Sequence, residues 1–168
     1  MPVPVQRTWV VGEFPTAAMF NANVRDAVNF LLNPPAVLVY NGAIAIAHAT
    51  ETYATFASER FDTENIHSTG ANTSRLTCTT PGLWQFDLYG LYAGNVNGSE
   101  RSIILRRNGV TVIRKASVPR NGGAETGVQL TTTYKLEVND FVEFGMYQDS
   151  GGPLNCTPEF GMTWVGVG

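Results

Sequence analysis

The sequence predicts an all-β sandwich or barrel preceded by one short helix, and three observations carry that prediction. From residue 36 onward apolar and polar residues alternate with a period of two. Turn-forming pairs (Asn41-Gly42, Pro81-Gly82, Asn108-Gly109, Asn139-Asp140) punctuate those stretches at the regular spacing of a sandwich or barrel. Only residues 17–35, AAMFNANVRDAVNFLLNPP, repeat at helical spacing instead. At 168 residues, 43% of them hydrophobic, the chain is long enough to bury one core.

The helix comes first. Thr16 is placed to cap it and Asn33-Pro34-Pro35 to stop it, so it is expected over about residues 16–32. Phe20, Val24, Ala27, Val28 and Leu31 recur on one face, with Asn21, Arg25, Asp26 and Asn29 opposite. A helix this short is marginal by itself, so its apolar face is expected to dock on something. Residues 1–35 accordingly form a docking and assembly segment, and 36–168 a β head.

Within the head, AVLVYNGAIAIAHAT reads as two strands around a tight Asn41-Gly42 turn. YATFASERF continues in strand style, DTENIHSTGANTSR is a polar loop, and RLTCTTPG leads into LWQFDLYGLYAG. There Trp84, Phe86, Leu88, Gly90 and Tyr92 share the face of a core strand. RSIILRRNGVTVIRKASV is a hairpin about Asn108-Gly109, and PRNGGAETG is a loop. VQLTTTYKLEV, FVEFGMYQD and EFGMTWVGVG supply the last strands, with SGGPLNCTP as the loop before the final one. The total is about ten strands.

Composition excludes several functions. A net charge of −3 with 11 Lys plus Arg spread thinly offers no cationic track for a phosphate backbone, so nucleic acid is not an expected partner. No apolar run approaches the roughly 20 residues that span a bilayer, and the N-terminus lacks a signal-peptide pattern. Cys78 and Cys156 read best as reduced, buried thiols, a bridge between them being the alternative. The low charge, 15% of residues, points to surface covered by a partner.

Catalytic parts are scarce. His48 sits in an alternating apolar strand and reads as a hydrogen-bonded core or interface histidine; His67, in a polar loop, reads as solvated. There is no Gly-x-Ser-x-Gly, His-x-x-x-His or Cys-x-x-Cys, so no enzyme is expected and no cofactor. Glu59, Asp62 and Glu64 are the oxygen-rich kind of cluster calcium takes, but the spacing matches no known calcium loop and a solvated acidic turn is preferred. The aromatic residues are expected to fill the core or pack between subunits, with Tyr92, Tyr134, Phe144, Tyr147 and Trp164 as trimer-interface candidates. The polar loops AGNVNGSE and PRNGGAETG are candidate exposed tips.

Two resemblances refine this. GLWQFDLYGLY, IILRRNGVTVI, LEVNDFVEFGMYQ and FGMTWVGV resemble, in order, the core strand, the L-x-x-N-G hairpin, the Leu-x-x-Gly-Asp-x-Val strand and the Phe-x-Gly strand of the globular heads of the complement and tumour necrosis factor superfamily. Asn139 stands where that pattern has Gly, and Asn is the next residue most tolerant of a left-handed backbone. The resemblance covers residues 36–168 and implies a ten-strand jelly roll that associates as a homotrimer. RTWVVGEFPTAAMFNANVRDAVNFLLNPP resembles instead the leader of tailed-bacteriophage structural proteins. Thr8, Trp9, Gly12, Glu13, Thr16, Ala17, Ala18, Asn21, Val24, Arg25, Asp26, Phe30 and Leu31 match its pattern in register.

Together the resemblances imply a virion structural protein assembled in the host cytoplasm, a trimeric knob on capsid or tail that docks on other virion proteins through its first 35 residues. The rivals are a tail-tip protein that binds a host surface glycan and a soluble cytokine-like or glycan-binding module.

Overall fold

The computed structural model describes residues 3–5 and 7–168. Its helical rod is built as the sequence dictates at both ends. Thr16 accepts a hydrogen bond from the Met19 amide at 3.3 Å, satisfying one of the free donors of the first turn. Helix α1 (Ala17–Phe20) passes into a π-helical stretch (Asn21–Arg25) and then α2 (Asp26–Leu32). The wider π turn frees a carbonyl, and the Asn23 side-chain amide donates to Met19 O at 2.8 Å to satisfy it.

Eleven strands follow: β1 (Ala36–Tyr40), β2 (Ile44–Ile46), β3 (Thr52–Tyr53), β4 (Ser58–Asp62), β5 (Arg75–Thr77), β6 (Gly82–Tyr92), β7 (Glu100–Arg107), β8 (Thr111–Pro119), β9 (Thr126–Leu136), β10 (Phe141–Gln148) and β11 (Leu154–Gly166). They form two packed sheets. One has the order β4-β1-β11-β6-β9, with β2 also on β11; the other has the order β3-β10-β7-β8, with β5 also on β10. This is the expected jelly-roll sandwich with one strand more than anticipated.

The core is the inward phase of each strand. Trp84, Phe86, Leu88 and Tyr92 of β6 are buried, as the alternation predicts, against Phe144 and Met146 of β10 and Ile103 and Leu105 of β7. Phe56, Phe144 and Phe160 form an aromatic cluster between the sheets, with centroids 5.9–6.5 Å apart. Trp84 and Trp164 pair across β6 and β11, and their indole N–H groups donate to Thr80 O (3.0 Å) and Pro81 O (3.1 Å). Gly82 lets this corner close: at φ +141°, a Cβ there would lie 2.3 Å from Gly166 O.

Some turns behave as predicted and one does not. Asn108 and Gly109 both have positive φ (53° and 70°) in the tight turn of the β7–β8 hairpin, where the Val110 amide donates to Arg107 O at 3.1 Å, and Asn139 is left-handed at φ 71°. Asn41-Gly42, in contrast, makes no hairpin. Its flanking strands β1 and β2 pair not with each other but with successive parts of β11, so the dipeptide links two strands along one partner. That arrangement also extends β11 into the predicted loop, since Leu154–Cys156 are needed to pair with β2. Cys78 and Cys156 are both free and buried, and burial pushes their thiols up to about 11 and about 12, so they are neutral packing groups.

One ion pair, a half-buried carboxylate on a buried guanidinium, shapes the end of the sandwich opposite the Trp corner. Asp149 accepts from the backbone amides of Glu100 (2.9 Å) and Ser99 (2.8 Å), from the Ser99 hydroxyl (2.8 Å), and lies 3.4 Å from the guanidinium of Arg101, which is 1% exposed. These donors, the Glu100 amide foremost, hold the carboxyl at about 2 against the ordinary 3.8. A lowered carboxyl contributes stability in full above its unfolded value and loses it as pH falls towards the folded one. Asp149→Asn should therefore be less stable than the parent by about 1–2 kcal/mol at neutral pH, with the two converging near pH 2. Urea titrations across that range check this.

Candidate assembly surfaces

Each sheet has an outer face made by the residues that alternate with the core, and the two faces differ in chemistry. On the sheet containing β10, charges are paired. Arg106 of β7 makes two bonds to Glu51 (2.6 and 2.7 Å), Arg75 of β5 reaches Glu143 at 3.4 Å and covers the Phe141 ring, and Lys115 of β8 meets Glu100 at 2.7 Å and covers Tyr147. Such a network suits water.

The outer face of the six-stranded sheet presents Leu83, Gln85, Asp87, Tyr89 and Leu91 from β6, and Leu38 and Tyr40 from β1. Phe61 of β4 lies beside Leu38, while threonines and glutamine come from β9. Asp87 is tied to Thr131 at 2.7 Å and to Gln85 at 3.1 Å; Arg60 pairs with Glu159 and covers the Tyr40 ring. At its centre Gly161 has no side chain, and Leu38, Asp87, Tyr89, Gln129 and Glu159 ring a hollow of about 140 Å³. A sheet face thinly charged and studded with Leu, Tyr and Phe can bury against a like surface at little desolvation cost.

None of the five trimer-interface candidates lies on this face. Tyr92 and Phe144 are fully buried and Trp164 is 9% exposed, so all three belong to the protomer's own core. Tyr134 is half-buried on the inward side under Arg107, and Tyr147 sits under Lys115 on the ion-paired sheet. The reason is phase: the residues that alternate with aliphatic neighbours are the ones turned inward. The opposite phase of β6 puts Leu83, Tyr89 and Leu91 on the outer face, at positions a strand covered on one side would fill with polar residues.

The N-terminal segment is the second surface. It is attached through Phe30, 1% exposed, whose ring meets Trp164 edge-on at 4.8 Å. Of the predicted docking face only Ala27 is half-buried; Phe20, Val24, Val28 and Leu31 are exposed, Leu31 by 72%. The face that meets the head carries Asn23, Ala27 and Phe30, one residue round from the apolar stripe, so the stripe itself stays open. Between segment and head lies an apolar groove of about 200 Å³ lined by Val3, Val5, Ala27, Phe30, Leu31 and Trp164.

The remaining candidates are placed plainly. Asp62 does not offer its carboxylate to a cation: its two oxygens accept the amides of Glu64, Ile66 and His67 at 2.8–3.0 Å, and Glu59 is bonded to His67. Among the described residues no group of three or more His, Cys, Asp or Glu could hold a metal ion. The histidines exchange their expected roles. His48 is exposed, its Nδ1 accepting the Gly151 amide at 2.9 Å, whereas the His67 side chain is fully buried. Among the described residues no helix is long and apolar enough to cross a membrane.

No family model and no curated sequence matches the chain. Solved structures do. The globular domain of zebrafish complement 1qA protein superimposes with a TM-score of 0.63 at 16% identity, covering 80% of this chain and 99% of that one. Murine APRIL superimposes with a TM-score of 0.54 at 10% identity, covering 75% and 97%. At such identities these likenesses establish the jelly-roll fold.

Proposed function

We propose that this chain is a non-enzymatic, homotrimeric bacteriophage structural protein, a knob that decorates capsid or tail and docks on other virion proteins through residues 1–35. The trimer rests on the resemblance to the complement and tumour necrosis factor heads, and the thinly charged outer face of the six-stranded sheet is the surface it would bury. The virion assignment rests on the leader pattern of residues 7–35.

One observation carries the docking role. Of the nineteen large apolar side chains left exposed among the described residues, ten lie between Val5 and Leu32. A segment this apolar, held to its own head by Phe30, Val3 and the Pro34-Pro35 junction while most of its large apolar side chains stay exposed, is completed by a partner. Three leaders on one trimer engage together, so each contact can be individually weak.

The test separates head from leader. Val24→Asp with Leu31→Asp should leave the head folded and trimeric but reduce incorporation into particles by at least about tenfold, because each of the two side chains forfeits about 1 kcal/mol or more of apolar burial against the partner. Quantitative mass spectrometry of purified particles measures it. Normal incorporation overturns the docking role, and a stable monomer in light scattering of the unmodified protein overturns the trimer. Binding to host cells or polysaccharide, without binding to particles, would favour the adhesion reading.

A further inference from the structure

A turn ahead of the helical rod holds two apolar side chains out on a frame that is already built. The Glu13 amide donates to Val10 O at 3.0 Å, and Gly12, at φ +84°, sits third in the turn, where that conformation is needed. The Glu13 carboxylate accepts the Val10 amide at 3.2 Å and pairs with Arg7, whose guanidinium covers the Trp9 ring. Trp9 packs on Phe20 at 5.9 Å, which pins the turn to the N-terminal end of the rod. Pro15 restricts Phe14 to an extended backbone. On this frame Val11 is fully exposed and Phe14 is 93% exposed.

We propose, on the trimer reading above, that the Phe14 ring of one protomer seats in the apolar groove between leader and head of a neighbouring copy, so that the three copies exchange leaders. The groove has the size and chemistry for it. It holds about 200 Å³, is walled by Val3, Ala27, Phe30, Leu31 and Trp164, and has no charged residue in its lining. An apolar cavity of about 150 Å³ already takes a benzene ring. The protomer's own Phe14 does not fill it. Phe20, where the turn is anchored, and Phe30, which lines the groove, are separated by about 15 Å of helix axis.

A second copy is the occupant that the symmetry favours. A three-fold ring joins two different patches at every interface, and turn and groove are such a pair, present in equal number on each protomer. Trp164 lies on β11, the strand that also carries Glu159 and Gly161 of the outer face, so groove and proposed interface share a strand. Neither side has an unpaired charge to strip of water, since Arg7 and Glu13 neutralise each other on the turn. The turn is folded before it binds, so seating it orders little that was free. Phe20, Val24 and Val28 stay open for the virion partner.

Mixed trimers, co-refolded from methyl-labelled and unlabelled protein, test this on the whole chain. Isotope-filtered NOE spectra should place the Phe14 ring of unlabelled copies against the Ala27 and Leu31 methyl groups of labelled ones. Phe14→Ser should remove those contacts with the head still folded, because the side chain is exposed in the protomer, and should speed the exchange of subunits between trimers by about tenfold or more. Val110→Ser, at the exposed tip of the β7–β8 hairpin, should leave that rate unchanged. Equal acceleration in both variants overturns the proposal. A trimer in which Phe14 touches no other copy's groove also overturns it and leaves the trimer standing, whereas a monomer in light scattering overturns both. Protection of Phe14 on particles alone overturns it too, and assigns the turn to another virion protein.

Discussion

In the trimer proposed above, Leu38→Asp should dissociate the assembly to monomer while leaving the circular dichroism and core of each protomer unchanged. Leu38 lies on the outer face of β1 against Gly161 of β11, where a glycine Cβ would come within 3.2 Å of it, and it borders the hollow ringed by Asp87, Tyr89 and Glu159. In a trimer built on this face, a new carboxylate there is buried beside two others, while Arg60 already serves Glu159. A central interface residue is worth about 2 kcal/mol or more on truncation, and symmetry repeats the change at three interfaces, so the trimer loses about 6 kcal/mol or a factor of about 10⁴ in assembly. Sedimentation at micromolar concentration reads this directly. Arg106→Ala, on the ion-paired face, should leave assembly intact. Loss of the trimer in Arg106→Ala but not in Leu38→Asp would put the interface on the other sheet.

What the sequence revealed and what it hid divide along a physical line. Signals confined to one strand or one turn were legible: the inward phase of Trp84, Phe86, Leu88 and Tyr92, the Asn108-Gly109 hairpin, the left-handed Asn139, the Thr16 cap. Choices settled between distant segments were not. Asn41-Gly42 has the chemistry of a hairpin turn, but β11 outcompetes a local pairing by offering β1 and β2 one continuous partner. The histidines follow the same rule. His48 stands among apolar neighbours and ends up in solvent, whereas His67 stands among polar ones and is buried because Asp62 turns the loop back over it. Aromatics in phase with aliphatics mark the protomer's own core, which is where Tyr92, Phe144 and Trp164 lie, while Leu83, Tyr89 and Leu91 stand in the other phase of β6 on the outer face.

Phe160→Ala should be the most damaging single truncation in the head. Phe160 is fully buried on β11, and its ring meets Phe144 of β10 at 5.9 Å and Phe56 at 6.1 Å, so it joins the two sheets at mid-height. Removing a buried phenylalanine ring costs about 3–5 kcal/mol through lost burial and the cavity left behind, because a sandwich held by neighbouring strands collapses only partly around it. Against a typical domain stability of about 5–15 kcal/mol, that places the variant near the edge of folding. A shift of the urea midpoint, with the slope unchanged, measures the loss. Phe160 and Gly161 are adjacent on β11, one facing the core and the other the outer face against Leu38. The two variants therefore probe opposite sides of one strand: Phe160→Ala should lose assembly together with cooperative unfolding, Leu38→Asp should lose assembly alone. Equal destabilisation in both would mean that the outer face is part of the fold's own support rather than a surface held ready for another copy.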